Sequence, residues 1–351
     1  MDRKREPLLD FLRFLAAILV AVFHWGLELG VDRYAEIYEL PIVGYVIANG
    51  GVSVDIFFII SGYVILATAQ KHSGLEFIFA RLNRIFPGLL FSMIIVLVVG
   101  QHFIRPYEKP LASFFHSTFL TYQVFEIEPL TTPLWTLIIE IKFYALVSAT
   151  LLVFPNLFRS VKGTILFLAS WEFSVFVLAL LKSDIGPFLY QQITLDGAKN
   201  LFAIGMCLSL LGRSRHQNKA EILVVAMFTL YLVSREILIA DQSINLKLIL
   251  LFACILILVS PHVSLNRPLQ KISYLLGLSS YLTYLLHMQL GTTFVLQFQS
   301  RISGNIFVII SLSMIAMTLT SIFLAIFVER PIQQIFRNLF SRIYIREVAT
   351  T

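Results

Sequence analysis

Apolar stretches about 20 residues long recur from one end of the chain to the other, and a helix of about that length crosses the hydrocarbon core of a bilayer. Hydropathy places ten such spans in the 351 residues, at 8–27, 50–70, 87–104, 133–154, 161–181, 196–212, 220–239, 245–260, 275–298 and 304–328. A backbone in lipid must satisfy its polar groups internally, so the expected fold class is all-α, a polytopic membrane helical bundle. The chain is 58% hydrophobic and 14% charged, against roughly 45–50% and 25% for soluble domains. The polar breaks are short, so residues 1–351 are read as one integral-membrane domain with its core at 8–330 and a C-terminal tail at 331–351.

The charge pattern orients the bundle. With the N-terminus inside, seventeen Lys and Arg fall on the cytoplasmic side, and Arg33, Arg105, Lys109, Lys182, Arg235, Lys247 and Arg301 fall outside. Arg13, Lys142 and Lys199 lie within spans. This asymmetry follows the positive-inside rule and predicts that both termini are cytoplasmic. The net charge of +6 is scattered over short loops without interleaved aromatics, so a nucleic-acid partner is not expected. The opening MDRKREP and the apolar run after it resemble a signal peptide. Arg13 interrupts that run and no small-residue cleavage site follows, so it is read as a retained first helix. Cys207 and Cys254 sit in apolar runs without metal-ligand spacing and are read as buried small residues; no metal is expected. The segment LASFFHSTFLTY in the long outer connection 105–132 is too short to span and reads as interfacial or re-entrant.

Lipid penalises charge, so polar groups inside the spans carry the functional information. Arg13 and His24 are eleven residues apart in the first span, a separation of roughly 16 Å and three turns plus about 20° of helix. They share a face, with Arg13 near the cytoplasmic surface and His24 more than halfway across. Asp55 lies in the outer half of the second span, ahead of the small pair Ser61-Gly62, which suits close helix packing. Arg81 and Arg84 are three apart at the cytoplasmic side, able to grip phosphates bidentately, and Pro87 is placed to open the third helix. Glu140 lies several residues deep in the fourth span with Tyr144 one turn below on its face, and Lys142 points elsewhere. His287 in the ninth span shares a face with Thr283 and Tyr284.

Each group has a structural alternative. Arg13 can be a snorkelling anchor, His24 an interfacial histidine, Arg81 and Arg84 headgroup contacts, Asp55 and Glu140 members of ion pairs, and His287 a histidine satisfied by a neighbouring hydroxyl. The depths argue jointly for function. His24, Asp55, Glu140 and His287 come out at middle to outer depth, whereas the three arginines come out at the cytoplasmic side. That pattern suggests an anion-binding mouth leading to an acid–base centre.

These residues resemble the membrane acyltransferase-3 family, integral-membrane enzymes that O-acylate bacterial surface sugars and related acceptors. The resemblance rests on Arg13 with His24, GVSVDIFFIISGYVI, Arg81-x-x-Arg84-Ile-Phe-Pro, PLWTLIIEIKFY with Glu140, and SYLTYLLH ending at His287, in the family's order. It implies an acyl-CoA co-substrate, acetyl-CoA foremost, bound from the cytoplasm by Arg13, Arg81 and Arg84. It also implies a glycan or lipid-linked saccharide acceptor, and residence in the bilayer of a bacterial inner membrane. His24 would be the general base or, in a variant, a transient acyl carrier. Glu140 would orient or activate His24, and His287 would assist proton transfer or acceptor binding, with Asp55, Tyr144 and Tyr284 at the substrate. Ile141 and Lys142 depart from the family pattern, where an acidic residue and glutamine are common. The sequence shows no fused SGNH-type esterase domain, which implies that one membrane protein performs the transfer or that a separate partner completes it. The competing class is a polysaccharide exporter or proton-coupled transporter, since buried carboxylates and histidines also build proton relays. No internal repeat of the transporter kind is visible. A purely structural membrane subunit leaves the shared depth of four ionisable groups without a reason.

Overall fold

Long apolar runs with few β-branched clusters and well-placed caps favour helices, and the computed structural model shows helices throughout. It describes residues 6–28, 44, 49–104, 106–181, 186–213, 219–239, 244–302 and 306–348, and no strand occurs among them. Arg33, Arg105 and Lys182, three basic positions in the topology argument, lie outside the described residues, as do the basic residues of the N-terminal tail and Arg215. The principal helices are α1 (Pro7–Glu28), α2 (Val52–Ala69), α3 (Gly74–Val99), α4 (Pro110–Thr118), α5 (Leu134–Val153), α6 (Val161–Leu181) and α7 (Gly186–Thr194). They continue as α8 (Lys199–Gly212), α9 (Lys219–Ile239), α10 (Ile244–Val259), α11 (Arg267–Leu286), α12 (Thr292–Arg301), α13 (Ile306–Leu324) and α14 (Arg330–Val348). Short π turns follow α3 at Gly100–Ile104, α11 at His287–Gly291 and α13 at Ala325–Glu329.

Among the described residues, seven helical stretches are long and apolar enough to cross a membrane: Pro7–Gly26, Val52–Ala69, Gly74–Ile104, Leu134–Val153, Val161–Leu178, Leu189–Gly212 and Ile306–Phe340. Rows of exposed large apolar side chains, such as Leu90, Ile94 and Val98 on α3 and Leu319, Phe323 and Phe327 from α13 onward, present a lipid-compatible surface. The protein is therefore a membrane protein, all-helical among the described residues outside its turns and loops. The other three expected spans are helical but fall short on length or polarity. Helix α9 carries Lys219, Glu221, Arg235 and Glu236 near its ends, the apolar part of α10 is short, and 275–298 is rich in Ser, Thr and Gln and broken by a π turn.

Pro87 does not open a helix as its sequence position suggested; it lies inside α3, which begins thirteen residues earlier. The reason is a capping box. The Ser73 N–H donates to Glu76 Oε2 at 2.9 Å and the Glu76 N–H to Ser73 Oγ at 3.4 Å, which starts the helix at Gly74. Arg81 and Arg84 consequently ride on the continuous helix. At the start of α11, the Asn266 side chain accepts from the Leu269 N–H at 3.1 Å with Pro268 in the first turn.

The chain divides into two compact units that interleave in sequence. The first comprises Met1–Leu9, Val54–Ile78 and Leu137–Leu265. Its core is a close crossing of α2 and α8: a Cβ on Gly62 would lie 2.1 Å from the Phe202 carbonyl oxygen, and one on Gly205 would lie 2.0 Å from that of Ile59. Only glycine permits backbones this near. Phe143 stacks on Phe202 at 4.2 Å and on Trp171 at 6.0 Å beside this crossing. Glu172 accepts from Lys199 and, at 2.8 Å, from Arg235, and so ties α6, α8 and α9 together by charge. The second unit comprises Asp10–Ser53, Phe79–Thr136 and Asn266–Thr351. There α1 packs on α11 through Gly277, whose added Cβ would lie 2.6 Å from that of Asp10.

Candidate active site

His24 is placed in the second unit by the face of α1 that it shares with Val20. Its Nδ1 lies 2.9 Å from the Val20 carbonyl oxygen, one turn earlier. His287 is fully buried where α11 passes into its π turn, with Nδ1 2.6 Å from the Tyr284 carbonyl oxygen. A carbonyl only accepts, so both rings carry their hydrogen on Nδ1 when neutral. The His287 Nε2 is then a lone pair, and it faces His24 Nδ1 at 3.2 Å, where it shares the same N–H. One tautomer satisfies all three contacts, and it leaves the basic lone pair of His24 on Nε2. The two rings, 5.1 Å apart at their centroids, form a directed pair: His287 accepts, His24 donates, and the His24 Nε2 can take a proton.

The π turn sets this pair. A π turn offsets the carbonyls that follow it and often occurs at functional sites. The His287 carbonyl accepts from the buried Trp25 indole at 2.9 Å as well as from the Thr292 N–H. Gly291 makes space for that indole, since a Cβ there would lie 2.6 Å from the ring. Trp25 thus bolts α1 to the π turn one residue beyond His24.

Tyr284 does not bond the His287 ring through its hydroxyl. That hydroxyl meets Thr136 Oγ1 at 2.6 Å and donates to the Pro133 carbonyl at 3.1 Å, while the backbone of Tyr284 serves His287. In the same unit, Arg84 Nη1 donates to Glu329 Oε1 at 2.9 Å, and its guanidinium lies over the Tyr281 ring at 4.9 Å. Arg81 is one turn earlier on α3, and Arg13 has its Nη1 3.8 Å from Asp10 on its own helix.

The first unit holds the predicted carboxylate. Glu140 Oε1 accepts from the Tyr144 hydroxyl at 2.5 Å and from Ser61 Oγ at 2.8 Å. Two hydroxyl donors on one oxygen fix the direction of the carboxyl group. Lys142 points elsewhere, as its spacing implied, and pairs with Asp196 at 2.8 Å rather than with Glu140. Asp55 lies on α2 six residues before Ser61, about 9 Å along the helix axis.

The structure thus brings His24 together with His287, and Glu140 with Tyr144. It adds Trp25, Ser61, Val20 and Glu329, which sequence reasoning missed. The acid in VERP, the last acidic group before the tail, was the available signal for Glu329. The indole–carbonyl bond of Trp25 had none, because it depends on the π turn.

The family comparison bears on the same residues. The acyltransferase-3 family model, described as an acyltransferase domain, matches residues 7–328. The chain belongs to the acyltransferase-3 family. The match runs through His24, Arg81, Arg84, Glu140 and His287 and stops one residue before Glu329. The peptidoglycan O-acetyltransferase OatA of Listeria monocytogenes is 33% identical over 175 residues, 44% of this chain and 25% of that protein. The O-acetyltransferase OatA of Staphylococcus aureus strain NCTC 8325 is 31% identical over 160 residues, 40% of this chain and 24% of that protein. The chain spans about a quarter of the length of these curated relatives. No solved structure matches it.

Proposed function

We propose that this member of the acyltransferase-3 family is a membrane O-acyltransferase that moves an acetyl group from acetyl-CoA to a hydroxyl of a glycan acceptor. The observation that carries the reading is the His24–His287 pair, whose hydrogen-bond directions leave His24 Nε2 as the base. The acceptor O–H gives its proton to His24 Nε2 as its oxygen attacks the thioester carbonyl. The C–S bond breaks, and the CoA thiolate takes the proton back from the imidazolium. During that interval the positive charge on His24 is spread over two acceptors, the Val20 carbonyl and His287 Nε2. General-base assistance of this kind contributes roughly 10²–10⁴-fold to the rate.

Arg13, Arg81 and Arg84 supply cations for the donor's phosphates. Glu140, fixed within its own unit by Ser61 and Tyr144, is the acidic group that the family resemblance assigns to the reaction, and Asp55 and Tyr284 belong to acceptor recognition. The topology in this reading has ten spans with both termini in the cytoplasm of a bacterial cell, so that the donor arrives from inside. The name of the Listeria relative, a peptidoglycan O-acetyltransferase, favours a glycan as acceptor.

The test is transfer of radiolabelled acetyl from acetyl-CoA to the saccharide fraction of membranes with and without the protein. Alkali-labile label that depends on the protein supports an O-ester product. Membranes that contain inserted protein and a competent acceptor yet acquire no label would contradict the reading.

A further inference from the structure

Glu329 ends the π turn after α13 and is only 2% exposed, while the side chain of its partner Arg84 is 41% exposed. The acid is buried, and the arginine that meets it is partly exposed. Three further features hold this arrangement. Gln333 Nε2 donates at 2.8 Å to the same Glu329 oxygen that accepts from Arg84. The Tyr281 ring, which lies against the Arg84 guanidinium, is itself fixed by its hydroxyl bond to the Ile85 carbonyl at 3.0 Å. Gly88 leaves the space, since a Cβ there would lie 2.7 Å from the Tyr281 ring and 3.3 Å from the Glu329 carboxyl carbon. Glu329 and the Tyr281 ring therefore both hold the guanidinium.

A free arginine loses considerable rotamer freedom when it grips a phosphate, and a pre-set fork loses less. We propose that Glu329 is a positioning residue that fixes the Arg84 guanidinium for the phosphates of the acyl donor. This rests on the acyl-CoA reading given above. The carboxylate offsets part of the arginine's attraction for an anion, and in exchange sets the direction in which the fork points. An ion pair that served folding alone would leave donor affinity indifferent to Glu329.

The experiment uses the full chain in lipid nanodiscs with CoA as the probe, alongside acetyl-transfer kinetics. For Glu329→Gln we expect roughly tenfold weaker CoA binding, the loss of about one charge-assisted bond. The KM for acetyl-CoA should rise in parallel and kcat at saturating donor should change little. Glu329→Asp, which keeps the charge, should recover part of the affinity. Wild type that binds CoA together with a Glu329→Gln variant that binds within twofold of it would overturn the proposal and leave the donor reading standing. Wild type that fails to bind CoA at millimolar concentration would remove the donor reading and this proposal with it. Should Glu329→Gln fail to insert, Gln333→Ala removes the second bond to the same oxygen. About threefold weaker CoA at an unchanged melting temperature supports positioning, and unchanged affinity in that variant overturns it.

Discussion

His287→Leu separates the role of the histidine pair from its packing. Leucine fills most of the buried volume but cannot accept from His24 Nδ1, so the imidazolium formed during transfer keeps only the Val20 carbonyl. A hydrogen bond to a charged group contributes about 1.5–3 kcal/mol. At 1.36 kcal/mol per decade of rate, kcat should fall roughly 10- to 150-fold. The donor's KM should stay near the wild-type value, because the arginines proposed to meet its phosphates are untouched. His287→Gln offers an amide oxygen as acceptor and should lie between the two. The assay is initial-rate acetyl transfer at saturating acetyl-CoA, normalised to inserted protein. A melting scan tracks separately the cost of removing the Nδ1 bond to the Tyr284 carbonyl, about 1 kcal/mol. A kcat for His287→Leu within twofold of wild type would refute the reasoning, since His24 would then need no second acceptor.

Tyr144→Phe removes the shorter of the two bonds to Glu140 and leaves that of Ser61. Activity should drop roughly tenfold, and unchanged rates would return the carboxylate to a packing role. Gly205→Ala forces a Cβ against the Ile59 carbonyl at the α2–α8 crossing, where backbone cannot yield as a side chain would. We expect a loss of about 3 kcal/mol or more, read as a fall in the detergent melting temperature. Stability equal to wild type would mean that the crossing is looser than described.

The helical class, the membrane setting and most of the polar residues were legible in the sequence because lipid leaves so few structural options. Arg13, His24, Glu140 and His287 stood out as costs that a bundle does not accept without a partner. Partners are another matter. That His287 meets His24 depends on the π turn at His287–Gly291, and one extra residue in a helical turn has no hydrophobic period by which to recognise it. Pro87 was misplaced because proline statistics favour first turns, whereas the capping box at Ser73 and Glu76 had already started the helix. Segment 275–298 looked like an ordinary span, but its polar face is used internally, by Tyr284 on Pro133 and by Tyr281 on Ile85. Spacing on one helix located these residues, whereas the bonds themselves depend on contacts between helices.

The central claim is that His24 takes the acceptor's proton, and single-turnover acetyl transfer tests it most directly. Wild type and His24→Ala, each in nanodiscs and preloaded with radiolabelled acetyl-CoA, would be mixed with the acceptor glycan. The account predicts equal donor loading and a transfer rate roughly 10²–10⁴-fold lower in the variant. Equal loading with transfer at the wild-type rate would contradict it.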